Sequence, residues 1–236
     1  FSVQKELNTP DSCETDLSAR YYQGTPVTLE RRVQLQRNSS MLKLFLTFRN
    51  PGKKVCTVIP WENAAIQLKA DRVDDVLMPG RGGVDRIGDY GVQRLEKDCI
   101  FVDNAAVYSK EVKIPPARNW IARRNVGSPL ILAIRTDMKE LLPDGFFYSW
   151  KMGANSPLHT MEIIFTPFTL APGAEKTLEV DYLVFEGLTD LKEICGEIGI
   201  DCRLTDSKIN LSLSSACPVA ADKLSVILKS SAGRET

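Results

Sequence analysis

The sequence predicts an all-β protein, an antiparallel sandwich of sheets, and three observations lead there. Apolar residues recur with a period of two along most of the chain. The segments carrying that alternation are short and rich in Val, Ile, Phe and Tyr. What separates them is Pro, Gly, Asn and Asp rather than helical stretches, so the strand–helix alternation of a doubly wound parallel sheet is missing.

The clearest alternation lies in "RRVQLQRNSSMLKLFLTFRNPG", residues 31–52. Val33 and Leu35 alternate with Gln34 and Gln36, and the polar Asn38-Ser39-Ser40 follows as a turn. Beyond it Leu42, Leu44, Leu46 and Phe48 share one face, and Lys43, Thr47 and Arg49 the other. This predicts a hairpin with one buried face, closed by Asn50-Pro51-Gly52. "KVCTVIPW", "CIFVDNAAVY", "NWIARRN", "PLILAIRT", "FFYSWKM", "TMEIIFTPF", "KTLEVDYLVF", "KINLSLSS" and "KLSVILKS" read as further strands. Lysines at strand ends, with Pro60, Pro115 and Pro116, protect the edges.

Two segments depart from the pattern. In "GLTDLKEICGEIG", residues 187–199, Leu188, Leu191, Ile194, Cys195 and Ile198 fall on one helical face. Thr189 stands at the N-cap position, Asp190 and Glu193 in the first turn and Gly199 at the stop, so a short helix is predicted near residues 188–198. "LMPGRGGVDRIGDYG", residues 77–91, lacks the Gly-Lys-Ser/Thr ending of a phosphate loop and is expected to be a surface loop at one end of the sandwich. The sandwich is expected to occupy residues 1–204. Residues 205–236 supply two more strands, either the last part of the sandwich or the start of a further module.

Composition excludes several classes of function. With 43% apolar and 25% charged residues in 236, the chain can bury a sizeable core. Thirty basic residues balance thirty acidic ones, which argues against nucleic acid as a partner. The cluster of Arg118, Arg123 and Arg124 reads as a solvated strand face, with Arg118 and Arg123 kept as candidate binding residues. No apolar run approaches the roughly 18–20 residues of a membrane span, so no transmembrane segment is expected. The sequence opens at Phe1 without an initiator Met, which suggests a mature or trimmed chain and a secreted or periplasmic location. The 6 cysteines include no Cys-x-x-Cys pair, which argues against zinc. Disulfides in an exported protein and buried free thiols both remain open.

The candidate chemistry centres on His159, the only histidine, and Glu162. On a regular strand these two have opposite parity and point to opposite faces, so they form no adjacent acid–base pair without a bulge. Glu162 alone, flanked by apolar residues, needs either an ion-pair partner or a cleft. Trp61, Trp120, Trp150 and Tyr148 are candidate stacking platforms for sugar rings, set against the alternative that each packs in the core. The acidic stretch at residues 71–75, with Asp85 and Asp89, has no EF-hand spacing, and neither a metal nor any other cofactor is expected. No Gly-x-Ser-x-Gly or other nucleophile signature is present.

"MEIIFTPFTLAPGAEKTLEVDYLVF" resembles the closing strands of the galactose-mutarotase-like supersandwich proteins. Leu170, Pro172, Gly173, Tyr182 and Phe185 match that family's Leu-x-Pro-Gly turn and its following Tyr-x-x-Phe strand, and Glu162 falls near the position of its catalytic base. "NWIARRN" and the hairpin at residues 31–52 are similar to other strands of the family. The resemblance implies an antiparallel β-supersandwich and a sugar-handling role. It also implies histidines well upstream of the glutamate to protonate a sugar ring oxygen, and this chain has none before residue 159. The expectation is therefore a non-catalytic, carbohydrate-associated sandwich, binding a saccharide or scaffolding a larger carbohydrate-active system. One alternative is a sugar epimerase or lyase-like enzyme with Glu162 as general base. Another is a structural periplasmic domain whose partner is a second protein domain.

Overall fold

Alternation is realised as strands almost throughout a computed structural model that describes residues 2–19, 25–64, 66, 75–80, 83–86, 99–102, 105–107, 110–112, 118–125, 127–150, 161–219 and 225. In chain order the strands begin with β1 (Ser2–Asn8), β2 (Ser12–Ala19), β3 (Thr28–Gln36), β4 (Met41–Arg49), β5 (Cys56–Val58) and β6 (Trp61–Ala64). They continue with β7 (Asp75–Gly80), β8 (Gly83–Arg86), β9 (Cys99–Val102), β10 (Ala105–Val107), β11 (Lys110–Val112), β12 (Trp120–Arg124) and β13 (Leu130–Thr136). The rest are β14 (Leu141–Trp150), β15 (Met161–Phe165), β16 (Phe168–Leu170), β17 (Glu175–Glu186), β18 (Glu193–Cys195), β19 (Ile198–Thr205) and β20 (Lys208–Ser215). A single 3-10 turn, Met138–Glu140, is the only helical element among the described residues.

A nine-stranded antiparallel sheet in the order β1-β2-β3-β4-β17-β13-β12-β7-β8 forms the frame. Against its inner face stands a four-stranded sheet, β6-β15-β14-β9, with the pair β5-β16 beside it. The predicted hairpin of residues 31–52 is the β3–β4 pair, with Leu35 opposite Leu42 and Val33 opposite Leu44. Leu44, Leu46 and Phe48 are buried, as the alternation requires, in the cluster between the two sheets. There they meet Ile121, Leu132, Ile134, Leu178 and Val180 from the large sheet and Ala64, Met161 and Ile163 from the small one.

The large sheet also has a second, outer core. In β13 the four consecutive residues Ile131, Leu132, Ala133 and Ile134 are all buried. Leu132 and Ile134 join the inner cluster, while Ile131 and Ala133 join an outer one with Trp120, Ala122, Leu183, Phe185, Leu188 and Leu191. Strands enclosed on both faces give continuous apolar runs, and "LILAI" is such a run. The outer cluster is capped by residues 187–192 and by the three-stranded sheet β18-β19-β20.

That cap corrects the helix predicted near residues 188–198. Leu188 and Leu191 are buried at 4% and 0% exposure, but they reach the core from an extended crossing segment. β18 then turns through Gly196, at φ 58°, into β19. Polar contacts fix the crossing. Asp190 accepts from Lys192 Nζ at 2.9 Å and from the Leu191 amide at 3.0 Å, and it pairs with Arg86. Thr189 Oγ1 donates to Asp201 Oδ2 at 2.9 Å. Burial opposes the Asp190 charge, yet the Lys192 bond, the Leu191 amide and Arg86 together hold its pKa below the ordinary carboxylate value. The surface loop expected at residues 77–91 is corrected as well: its described part is the β7–β8 hairpin, with Leu77 and Met78 buried in opposite core clusters. Cys13, Cys56, Cys195, Cys202 and Cys217 are free thiols.

β19 lies close enough to the outer core that a glycine is required within it. A Cβ on Gly199 would stand 2.8 Å from Cγ of the fully buried Phe185 ring. Gly199→Ala is expected to cost about 1–3 kcal/mol through overpacking, and to lower the thermal midpoint by several degrees in a melt followed by circular dichroism. An unchanged midpoint contradicts this packing.

Candidate functional site

Arg123 on β12, Arg31 on β3 and Tyr182 on β17 interrupt the largely apolar inner face of the large sheet, and Glu62 of the small sheet meets the last two. β6 is only four residues long, and its burial alternates: Trp61 and Asn63 are exposed, while Glu62 and Ala64 are buried. Register opposite Ile163 turns Glu62 toward the space between the sheets. There Arg31 Nη2, from β3, donates to Glu62 Oε1 at 2.9 Å and to Oε2 at 3.1 Å. Tyr182 Oη, from β17, donates to Oε1 at 2.7 Å. The two partners come from non-adjacent strands of the large sheet and converge on one carboxylate of the small sheet.

This group sits in the wall of a cavity of about 700 Å3. The remaining walls are largely aliphatic, from Val33 and Leu35 on β3, Leu42 and Leu44 on β4, Leu132 on β13 and Val184 on β17, with Ser40 and Asn63 as further polar lining. Burial raises the Glu62 pKa above its ordinary value, and Arg31 and the Tyr182 hydrogen bond offset this only in part. Burial, followed by the neighbouring Glu62 charge, raises that of the Tyr182 phenol. The arrangement presents a carboxyl, a guanidinium and a phenol in a chamber that is otherwise largely apolar.

The residues singled out by sequence are dispersed. Glu162 is buried on β15, opposite Asn63 and Tyr148, so it faces away from Glu62 and from the inner core. His159 lies outside the described residues. Arg118 pairs with Glu193 at 2.6 Å, and the enclosed Trp120 donates from Nε1 to the same carboxylate at 3.3 Å, both on the outer side. Arg123 is fully buried on the inner face of β12, in register with Leu132 and Val76. Trp61 is 48% exposed and has the opposite parity to Glu62. Tyr148 and Trp150 belong to β14, where the structure describes the backbone alone. Of the cavity's polar groups, Tyr182 entered the sequence reading as a turn-and-strand match, and neither Glu62 nor Arg31 was singled out. The signal for Glu62 was a carboxylate in phase with Ala64 on a short strand.

Among the described residues no group of three or more His, Cys, Asp or Glu side chains is placed to hold a metal ion, and no helix is long and apolar enough to cross a membrane. No protein-family model matches the sequence, and no curated protein matches it. Solved structures do share its fold. The Slr1438 protein from Synechocystis sp. PCC 6803 is similar with a TM-score of 0.53 at 10% identity, over 79% of this chain and 66% of that one. A TPR-domain containing protein from Parabacteroides distasonis is similar with a TM-score of 0.50 at 12% identity, over 95% of this chain and 36% of that one. Several further neighbours are galactose mutarotase-like or aldose 1-epimerase proteins. One of these, a galactose mutarotase-like protein from Clostridium acetobutylicum, gives a TM-score of 0.48 at 9% identity over 78% of this chain and 66% of that one. The chain spans less than two thirds of the length of each of these three proteins, and at such identities the likeness is one of fold.

The raised Glu62 pKa carries a signed consequence for stability. A carboxyl whose native pKa exceeds its unfolded one binds more protons when folded, so its contribution is largest below the ordinary value of 4.5 and is lost as pH rises through the native value. The thermal midpoint of the wild type, measured against Glu62→Gln, is therefore expected to fall as pH rises through that interval. A midpoint difference that grows with pH instead means that Arg31 and Tyr182 outweigh burial.

Proposed function

We propose that the chain is a carbohydrate-associated β-sandwich that binds a saccharide in the Glu62 cavity without chemistry of its own. The observation that carries this reading is the Arg31–Glu62–Tyr182 cluster: both carboxylate oxygens are held by Arg31, and Oε1 takes the phenol as well. A carboxylate fixed in this way presents oriented acceptors beside fixed donors, which suits the hydroxyl edge of a sugar, while Val33, Leu42 and Leu44 beside it suit its C–H face. The galactose mutarotase-like neighbours agree with a carbohydrate setting, as a matter of fold.

A second reading has one specific observation in its favour. A buried carboxyl with a raised pKa, 2.7 Å from a tyrosine at a cavity wall, is also the raw material of acid–base catalysis. In that reading a sugar epimerase-like enzyme uses Glu62 as its acid–base group, in place of Glu162.

A glycan-array screen, followed by a mutarotation assay on each hit, separates the two. The binding reading expects a selective hit, no acceleration of mutarotation, and an affinity weakened about tenfold to a hundredfold by Arg31→Ala, the range for losing a hydrogen bond from a charged group. Trp61→Ala, on the opposite face of β6, is expected to leave binding intact. Turnover that disappears in Glu62→Gln establishes the enzyme instead, and an array without hits removes both readings.

A further inference from the structure

We infer that the ligand of this cavity is an amphiphile: a saccharide head at Glu62, Arg31 and Tyr182 joined to an alkyl chain that lies along the aliphatic walls. The inference rests on the saccharide reading above and extends it. All of the cavity's charge is gathered at one end. Tyr182 shares its row with Leu42 on β4 and Leu35 on β3; beyond that row the cavity residues are Val184 and Leu132, paired across β17 and β13, and then Leu130. From the Tyr182 row to the row pairing Leu130 with Glu186 is a distance of four residues on β17, about 13 Å at the rise of a strand. A sugar ring bound between Arg31 and Tyr182 leaves that stretch without a partner, and Leu35, level with Tyr182, is 43% exposed at its entrance.

The walls also select against a peptide. A bound peptide must satisfy its own backbone N–H and C=O groups, and the wall strands already spend theirs on one another in the β3-β4-β17-β13 ladders. An alkyl chain makes no such demand. Burying methylenes is its whole contribution, and this cavity offers little else along its length.

The test is calorimetric titration of the full chain with methyl, butyl, hexyl and octyl β-glucosides and β-galactosides below their micelle concentrations, and with octan-1-ol alone. Affinity is expected to rise about threefold per added methylene, a little under the limit for complete burial. Leu130→Gln, in the row farthest from Arg31 and Tyr182, is expected to flatten the upper part of the series and leave the methyl glycoside unaffected. A series that is already flat in the wild type, with the methyl glycoside bound, overturns the inference and leaves the saccharide reading standing. Octan-1-ol binding as tightly as the octyl glycosides overturns the saccharide reading. Absence of binding at every chain length overturns the inference.

Discussion

The large sheet is buried on both faces at its centre, and the rest of the structure follows from that constraint. β13 cannot expose either side of "LILAI" to water, so one layer must cover Leu132 and Ile134 and another must cover Ile131 and Ala133. The inner cover is the four-stranded sheet. The outer cover is smaller because the outer face is divided along its length. Toward one end of β17, Leu183 and Phe185 are apolar; toward the other, Asp181 takes Arg135 at 2.8 Å and Glu179 takes Lys43 at 2.9 Å. Only the apolar end needs a lid. The crossing segment and β18–β20 cover that end alone, and Gly199 lets the lid approach to ring-contact distance.

On the inner face the same logic produces the site. Where the two sheets pack fully, alternation fills the space with Ile163, Met161, Leu44 and Leu46. At β6 the small sheet contributes a carboxylate to that space, and a buried charge without partners costs several kcal/mol. Arg31 and Tyr182 supply the partners, from strands separated by β4. Their side chains must span the gap that the cavity occupies, so the cavity and the polar cluster are two aspects of one arrangement.

How much of this was legible depends on the range of each interaction. The β3–β4 hairpin could be read because a local pattern, Leu42 to Phe48 against Lys43 to Arg49, is the whole cause of its burial. Residues 188–198 misled for the complementary reason. Leu188, Leu191 and Ile194 have helical spacing, but an extended segment crossing a core also buries intermittent residues, and the anchors that make it extended, Arg86 and Asp201, lie elsewhere in the sequence. Residues 77–86 were obscured by their glycines, although Leu77 and Met78 fill both cores. The site was the least legible feature. Arg31, Glu62 and Tyr182 lie 31 and 120 residues apart in the pairs that they make, and nothing near Glu62 in the sequence marks it above Glu162. On β15 the structure does follow strand parity, with Met161, Ile163 and Phe165 in the inner core and Glu162 on the other face.

The chemistry of Glu62 turns on competition between its partners and its burial. A general base needs a lone pair aimed at the proton it removes, and this carboxylate spends Oε1 on both Arg31 and Tyr182. Its raised pKa makes the neutral form more accessible than for an exposed carboxyl, but protonation there weakens the pairing that keeps Arg31 in place. Acid–base cycling would therefore disturb the cluster at each turn, whereas binding uses it unchanged. Tyr182 adds to the asymmetry: its own pKa is raised, so it stays a hydrogen-bond donor across the neutral range and does not act as a second base. In the binding reading, Glu62, Arg31 and Tyr182 hold a polar group in one orientation, and the largely aliphatic walls beyond them decide what that group can be attached to.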